Sequence, residues 1–191
     1  MKIGVLSLQG DFAEHLAAFR DVGVEAVAVK KPEEVLACAG LVLPGGESTT
    51  IGKLCVRFGV GEAIRELAGR GAPIWGTCAG MILLAKEIEE SNQWRLGLMD
   101  IAVRRNAFGR QVDSFETDVE IAGLAGGPVR AVFIRAPYVT RVLNGAEALA
   151  TVEGKIVAAR QGQFLATAFH PELTEDRRVQ EYFVRMAGDR E

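Results

Sequence analysis

One short segment of the chain carries a nucleophile pattern. Gly76-Thr77-Cys78-Ala79-Gly80 has the form G-x-C-x-G and lies between a run that reads as a strand, Pro73 to Gly76, and a run that reads as a helix. It is the thiol counterpart of the G-x-S-x-G nucleophile elbow, in which flanking glycines relieve the steric cost of a sharp strand-to-helix turn. Such a turn holds the sulfur out at the carboxyl edge of a sheet, above a helix N-terminus. Unpaired amides and the dipole there favour a negatively charged sulfur. The Ala79 N–H would then face an oxyanion developing on an attacked carbonyl carbon. The plainer reading of a cysteine, a small buried hydrophobe, suits Cys38 and Cys55, which lack this setting.

A cysteine nucleophile needs a base, and the chain contains two histidines. His170 directly follows the apolar run Phe164 to Phe169 and precedes Pro171-Glu172. In a parallel sheet the carboxyl ends of strands gather on one edge, so Cys78 and His170 can meet there. Pro171 stiffens the turn, and Glu172 can fold back to accept a hydrogen bond from the imidazole. Read singly, His170 is an incidental loop histidine and Glu172 a carboxylate near a helix start; an elbow cysteine in the same chain gives them a joint role. His15, flanked by polar residues within a predicted helix, reads as a surface or interface residue. Pro44-Gly45-Gly46-Glu47-Ser48 also ends a strand and starts a helix. Its glycines let backbone approach a ligand, so the Gly46 amide could be a second oxyanion donor. A phosphate cradle competes with that reading, but the spacing fits neither G-x-x-x-x-G-K-[ST] nor G-x-G-x-x-G.

These motifs need strands and helices in alternation to position them. Ile3 to Leu8 reads as a strand, Asp11 as the N-cap of a helix with Phe12, Leu16 and Phe19 on one stripe, and Gly23 as its end. Strands at Val24 to Val29, Leu41 to Leu43 and Pro73 to Gly76 alternate with helices opening at Pro32, running from a Ser48 cap to about Phe58, and from Gly61 to Arg70; Met81 to Glu90 reads as a further helix. Near-continuous apolar strands imply a parallel sheet covered on both faces. After Gly97 short strands dominate: Ile101 to Val103, Thr117 to Ile121, Val129 to Ile134, Ala148 to Val152, Ile156 to Ala159 and Phe164 to Phe169, with a Glu153-Gly154 hairpin turn. Thr174 reads as the cap of a last helix with Val179, Tyr182, Phe183 and Met186 buried. The expected fold is α/β, a three-layer α/β/α arrangement with a mostly parallel central sheet and antiparallel additions in the second half.

The 191 residues suit one domain, and 49% hydrophobic with 25% charged residues suits a folded globular chain. A net charge of −3 points to neither nucleic acid nor a membrane surface as partner. The longest apolar stretches fall short of a membrane span, and Met1-Lys2 leads straight into a strand-like run without a signal-peptide pattern. The expected location is cytoplasmic. An odd number of cysteines without CxxC spacing suggests neither a disulfide framework nor a zinc site.

Pro-Gly-Gly-Glu-Ser, Gly-Thr-Cys-Ala-Gly and His-Pro-Glu, in this order, resemble a class I (triad) glutamine amidotransferase domain. Leu8-Gln9-Gly10, Arg105-Asn106 with Phe108 to Glu116, Phe133-Ile134-Arg135-Ala136-Pro137, and Gln161-Gly162-Gln163-Phe164 narrow the resemblance to the glutaminase subunits of pyridoxal 5′-phosphate synthase. That resemblance implies one glutaminase domain over 1–191, L-glutamine as substrate, and ammonia handed to a separate synthase subunit, with no cofactor or metal of its own. The family assembles as a synthase dodecamer decorated with glutaminase subunits. The resemblance makes Cys78 the nucleophile, His170 the base and Glu172 its orienting carboxylate. Gly46 and Ala79 become the oxyanion donors, and Gly46, Glu47, Ser48, Arg105, Ile134 and Arg135 the glutamine-binding residues. Physically, an arginine suits the substrate's α-carboxylate and Glu47 its α-ammonium. Helix Phe12 to Val22, with Gln9 and Gly10, is the docking surface that family analogy suggests. Two other readings stay open from sequence: a glutaminase serving a different acceptor, and a catalytically idle binding module.

Overall fold

The structure, a computed structural model, describes residues 1–106 and 114–188. Phe108 to Asp113, part of one of the motifs above, lie outside the described residues. Strands β1 (Lys2–Leu6), β2 (Glu25–Val29), β3 (Gly40–Leu43) and β4 (Ile74–Thr77) alternate with helices α1 (Phe12–Asp21), α2 (Pro32–Leu36), α3 (Ser48–Arg57) and α4 (Val60–Gly69). Helix α5 (Ala79–Leu84) follows, then β5 (Ala85–Ile88), β6 (Met99–Arg104), β7 (Ser114–Val119), β8 (Val129–Ile134), β9 (Tyr138–Val142), β10 (Glu147–Val152), β11 (Lys155–Gln161) and β12 (Phe164–Thr167). A 3-10 turn (Pro171–Leu173) and α6 (Arg178–Gly188) close the described chain.

The main sheet runs β2-β1-β3-β4-β12-β11-β9-β6-β5, with β10 added on β11 and β7-β8 as a separate pair. From β2 to β12 every pairing is parallel, while β11 joins β12, β9 and β10 antiparallel. Side chains alternate between the two faces of a strand. Val42, Trp75 and Leu165, from β3, β4 and β12, therefore pack with Phe19 of α1 and Val179 and Phe183 of α6. Leu41, Leu43, Ile74 and Ala166 of the same strands point the other way, into a cluster with residues of α2, α3, α4 and α5. That parity makes the three layers. Trp75, wholly buried, anchors the first face and donates from its indole N–H to Thr167 Oγ1 at 3.1 Å, so its one polar atom is not stranded.

Three readings from sequence change. The helix expected over Met81 to Glu90 stops at Leu84, and Ala85–Ile88 instead forms β5, parallel to β6; pairing with a strand distant in sequence outweighs the local helix preference of Lys86 to Glu90. Thr174 is not the cap of the last helix: its hydroxyl donates to Pro171 O at 3.2 Å, closing the 3-10 turn, and α6 begins at Arg178. Ser48 is the first residue of α3 rather than its cap, which is Glu47. The Glu153-Gly154 turn stands as expected, both residues having positive φ (51° and 75°) between β10 and β11.

Candidate active site

Strand β4 ends at Thr77 and α5 starts at Ala79, so Cys78 is the whole connection. It holds φ at 49°, a conformation costly for a residue with a side chain. The neighbours enforce it. A Cβ on Gly80 would stand 2.1 Å from Leu43 O, and one on Gly76 would stand 2.4 Å from the Gly80 carbonyl carbon, so neither position admits a side chain without moving backbone. The Cys78 N–H is tied to Thr167 O at 2.8 Å, which locks the elbow to the end of β12. The sulfur lies against Ile134 O at 3.8 Å.

Past β12 the chain delivers His170, whose N–H donates to Val132 O at 2.9 Å. Pro171 opens the 3-10 turn and returns Glu172 to the imidazole, with Nδ1 of His170 2.7 Å from Glu172 Oε1. Both side chains are out of solvent, and His170 Nε2 has no hydrogen-bond partner among the described residues. Burial opposes a charged imidazole, but Cys78 and Glu172 beside it outweigh burial and raise His170 to about 10. Burial likewise opposes ionised Glu172, yet the two histidines facing it, His15 and His170, hold its carboxyl below the ordinary value.

Above these groups opens a cavity of about 270 Å³. Cys78, Ala79 and His170 line one end, and Gly46, Glu47 and Ser48 a second wall. Arg105, Ile134 and Arg135 close it from the strand-rich half. Every site residue named from sequence thus lines this cavity except Glu172, which lies buried behind His170. Arg105 reaches Glu47 Oε1 at 3.1 Å, so a cation and an anion sit side by side, as the carboxylate and ammonium of an α-amino acid require. The Gly45–Gly46 peptide is trans and its carbonyl accepts from Asp11 N–H at 3.0 Å, which fixes the direction of the Gly46 N–H. The Glu47 N–H donates to Gln9 Oε1 at 2.8 Å. This arrangement can attack an amide carbonyl with sulfur and pass a proton through His170 Nε2, while Glu172 holds the other ring nitrogen.

Asp11, His170 and Glu172 present ligand atoms within 4.8 Å of one another. A metal there would have to displace the 2.7 Å bond between His170 and Glu172, so the set reads as the imidazole's own environment. Asp11 occupies the N-cap position of α1 without a side-chain cap bond, and its carboxylate lies 3.8 Å from His170 Nδ1 in the cavity wall. Sequence reasoning assigned it the cap alone. His15 is the larger correction: it is wholly buried, with Nε2 3.1 Å from Thr77 Oγ1 and 3.4 Å from Glu172 Oε1. The signal was present in the spacing, because Phe12, His15, Leu16 and Phe19 form one helical stripe. Cys38 and Cys55 are buried apart from the cavity, as their sequence setting suggested.

Residues 5–189 match the SNO glutamine amidotransferase family. The chain is 57% identical over 188 residues to a protein of Moorella thermoacetica named pyridoxal 5′-phosphate synthase subunit PdxT, covering 98% of this chain and 100% of that one. It is 58% identical over 184 residues to the protein of the same name from Pelotomaculum thermopropionicum, covering 96% and 94%. A crystal structure of a glutamine amidotransferase superposes with a TM-score of 0.93 at 50% identity, over 97% of this chain and 98% of that one. A glutamine amidotransferase of Thermotoga maritima shares the fold, with a TM-score of 0.63 at 16% identity over 99% and 84% of the two chains.

Proposed function

The chain belongs to the SNO glutamine amidotransferase family, and on that premise we propose that Cys78, His170 and Glu172 carry out its glutamine hydrolysis. It is the glutaminase subunit of a pyridoxal 5′-phosphate synthase and works with a synthase subunit. The observation that carries the residue assignment is the meeting of the strained Cys78 elbow and His170 in one cavity, with Glu172 bound to the imidazole from behind.

In the proposed cycle the Cys78 proton rests on Nε2 of His170, and the thiolate sulfur bonds to the side-chain amide carbon of glutamine, moving the carbonyl π electrons onto oxygen. The Ala79 and Gly46 amides hold that oxyanion. Its collapse breaks the C–N bond, and the proton on Nε2 leaves with nitrogen as ammonia. A γ-glutamyl thioester remains on Cys78. Water, giving a proton to Nε2, attacks the thioester carbon, and the C–S bond breaks to yield glutamate and the Cys78 thiolate beside protonated His170, which restores the starting pair. Glu172 keeps the His170 Nδ1–H directed at itself throughout, so Nε2 is always the working nitrogen. Glu47 holds the α-ammonium, Arg105 and Arg135 the α-carboxylate, and Ser48 and Ile134 flank the carbon chain.

We further propose, from the family resemblance, a cytoplasmic assembly in which a synthase dodecamer carries glutaminase subunits of one domain each, with the glutaminase completed on docking. The test is ammonia and glutamate release by wild type and Cys78→Ala, each alone and with the synthase subunit. Activity that rises on mixing and vanishes in Cys78→Ala is expected. No release by folded wild type in the complex would overturn the reading, and release indifferent to the synthase would favour another acceptor.

A further inference from the structure

Glu172 holds His170, but something must in turn hold Glu172, whose Oε2 has no partner among the described residues. It stands on a three-residue 3-10 turn, a short element with little rigidity of its own. Helix α1 packs against that turn and contributes His15. The His15 side chain is wholly buried, meets the Trp75 ring edge-on at 5.6 Å between centroids, and places Nε2 near two oxygens, Thr77 Oγ1 at 3.1 Å and Glu172 Oε1 at 3.4 Å.

The choice of tautomer follows from those neighbours. With the proton on Nδ1, Nε2 could accept from the Thr77 hydroxyl, but its lone pair would also face a carboxylate oxygen in a dry site, and the buried Nδ1–H would have no acceptor, since Nδ1 has no partner among the described residues. With the proton on Nε2 both penalties vanish, and only an acceptor nitrogen is left unpaired. Burial pushes His15 below the ordinary imidazole value and His170 adds to that, against Glu172, Asp11 and Glu14, so a neutral ring fits its surroundings.

We propose that His15 is a positioning residue of the glutaminase: as the neutral Nε2–H tautomer it donates to Thr77 Oγ1 at 3.1 Å while the same N–H faces Glu172 Oε1 at 3.4 Å, so its dipole braces that carboxylate against Thr77, the residue preceding the nucleophile. The triad then becomes a buried chain, Cys78 to His170 to Glu172 to His15, returning to the elbow through Thr77. His15 touches neither substrate nor reacting atoms; it fixes the orientation of the carboxylate that sets the imidazole plane. The proposal rests on the glutaminase reading above, and deepens it.

The test compares His15→Phe, which keeps a flat ring and removes the N–H, with His15→Gln, which keeps a donor near the Nε2 position. Both are assayed with the synthase subunit, for kcat, KM and pH profile, after thermal unfolding confirms a folded chain. His15→Phe is expected to lower kcat by about 10- to 100-fold, the worth of a hydrogen bond to a charged group, with KM for glutamine little changed. A carboxylate short of one donor protonates more readily, so the acid limb of the profile moves to higher pH by about one unit. His15→Gln restores rate and limb in large part. Wild-type rate and limb in His15→Phe, or a Gln variant no better than Phe, would overturn the proposal. Nitrogen NMR of wild type, with His170 signals assigned through His170→Asn, provides a readout that needs no His15 variant to fold. A neutral His15 protonated at Nε2 near pH 7 is expected; protonation at Nδ1, or a charged ring, would overturn it. Failure of the glutaminase reading itself is distinct: it shows as ammonia release absent in wild type or undiminished in Cys78→Ala.

Discussion

Nδ1 of His170 and Oε1 of Glu172 stand 2.7 Å apart with neither side chain open to water, while the far nitrogen of the same ring has no partner among the described residues. One end of the imidazole is therefore committed and the other free to work. The carboxylate fixes one proton on Nδ1, which makes Nε2 the nitrogen that holds the proton given up by Cys78 and hands it to a leaving amine.

The same relationship makes stability depend on pH. His170, raised from an ordinary 6.5 to about 10 by Cys78 and Glu172 against burial, holds a proton in the folded chain that the unfolded chain releases earlier. Its contribution is whole below pH 6.5 and is lost as pH rises toward about 10. Glu172, held below its ordinary 4.5, contributes above that pH and loses the contribution as pH falls, and buried neutral His15 likewise costs stability below 6.5. Melting temperature measured from pH 6.5 to 10 should fall more steeply for wild type than for His170→Asn. Parallel curves would show that His170 is not protonated in the folded chain.

Arg105 and Glu47, 3.1 Å apart at the cavity mouth, are predicted to exchange their mutual contact for the two charged ends of glutamine. Arg105→Ala should raise KM for glutamine by about tenfold or more while kcat changes by less than about threefold, because a binding contact distant from the reacting bond acts alike in ground and transition states. Steady-state kinetics with the synthase subunit decides this. An unchanged KM would remove Arg105 from the site.

The three cysteines should differ in reactivity. Burial raises Cys38, and it pushes Cys55 up to about 12 although Arg65 acts the other way, whereas Cys78 lines the open cavity. Brief alkylation of folded protein near pH 8, followed by peptide mass spectrometry, should modify the Cys78 peptide alone, and all three should react after unfolding. Modification of Cys55 as fast as Cys78 in folded protein would contradict this picture of the core.

How much of this was legible in the sequence depended on whether the cause was local. The elbow was, because Gly76 and Gly80 are demanded by close backbone approaches that any such turn makes. The layered sheet was, because apolar runs such as Leu41 to Leu43 lack the polar alternation of a half-exposed strand. Strand β5 was not: Ala85 to Ile88 joins the sheet through β6, a partner eleven or more residues away that local propensity does not report. Strand β9 at Tyr138–Val142 was missed for the same reason, since its pairing with β6 and β11 is what defines it. His15 reads as exposed because of polar neighbours such as Glu14, yet it lies inside because it shares a helical stripe with Phe12, Leu16 and Phe19. No sequence pattern announces that a buried histidine will face a carboxylate 157 residues later, near the far end of the chain.

The central claim is that Cys78 forms a covalent bond to the side-chain carbon of glutamine. An electrophilic glutamine analogue carrying a diazoketone in place of the amide, applied to the chain in complex with the synthase subunit, tests it most directly by peptide mass spectrometry. The account predicts one equivalent of label, on Cys78, prevented by excess glutamine and absent in Cys78→Ala. Label on another residue, or a Cys78→Ala variant that still releases ammonia at the wild-type rate, would contradict it.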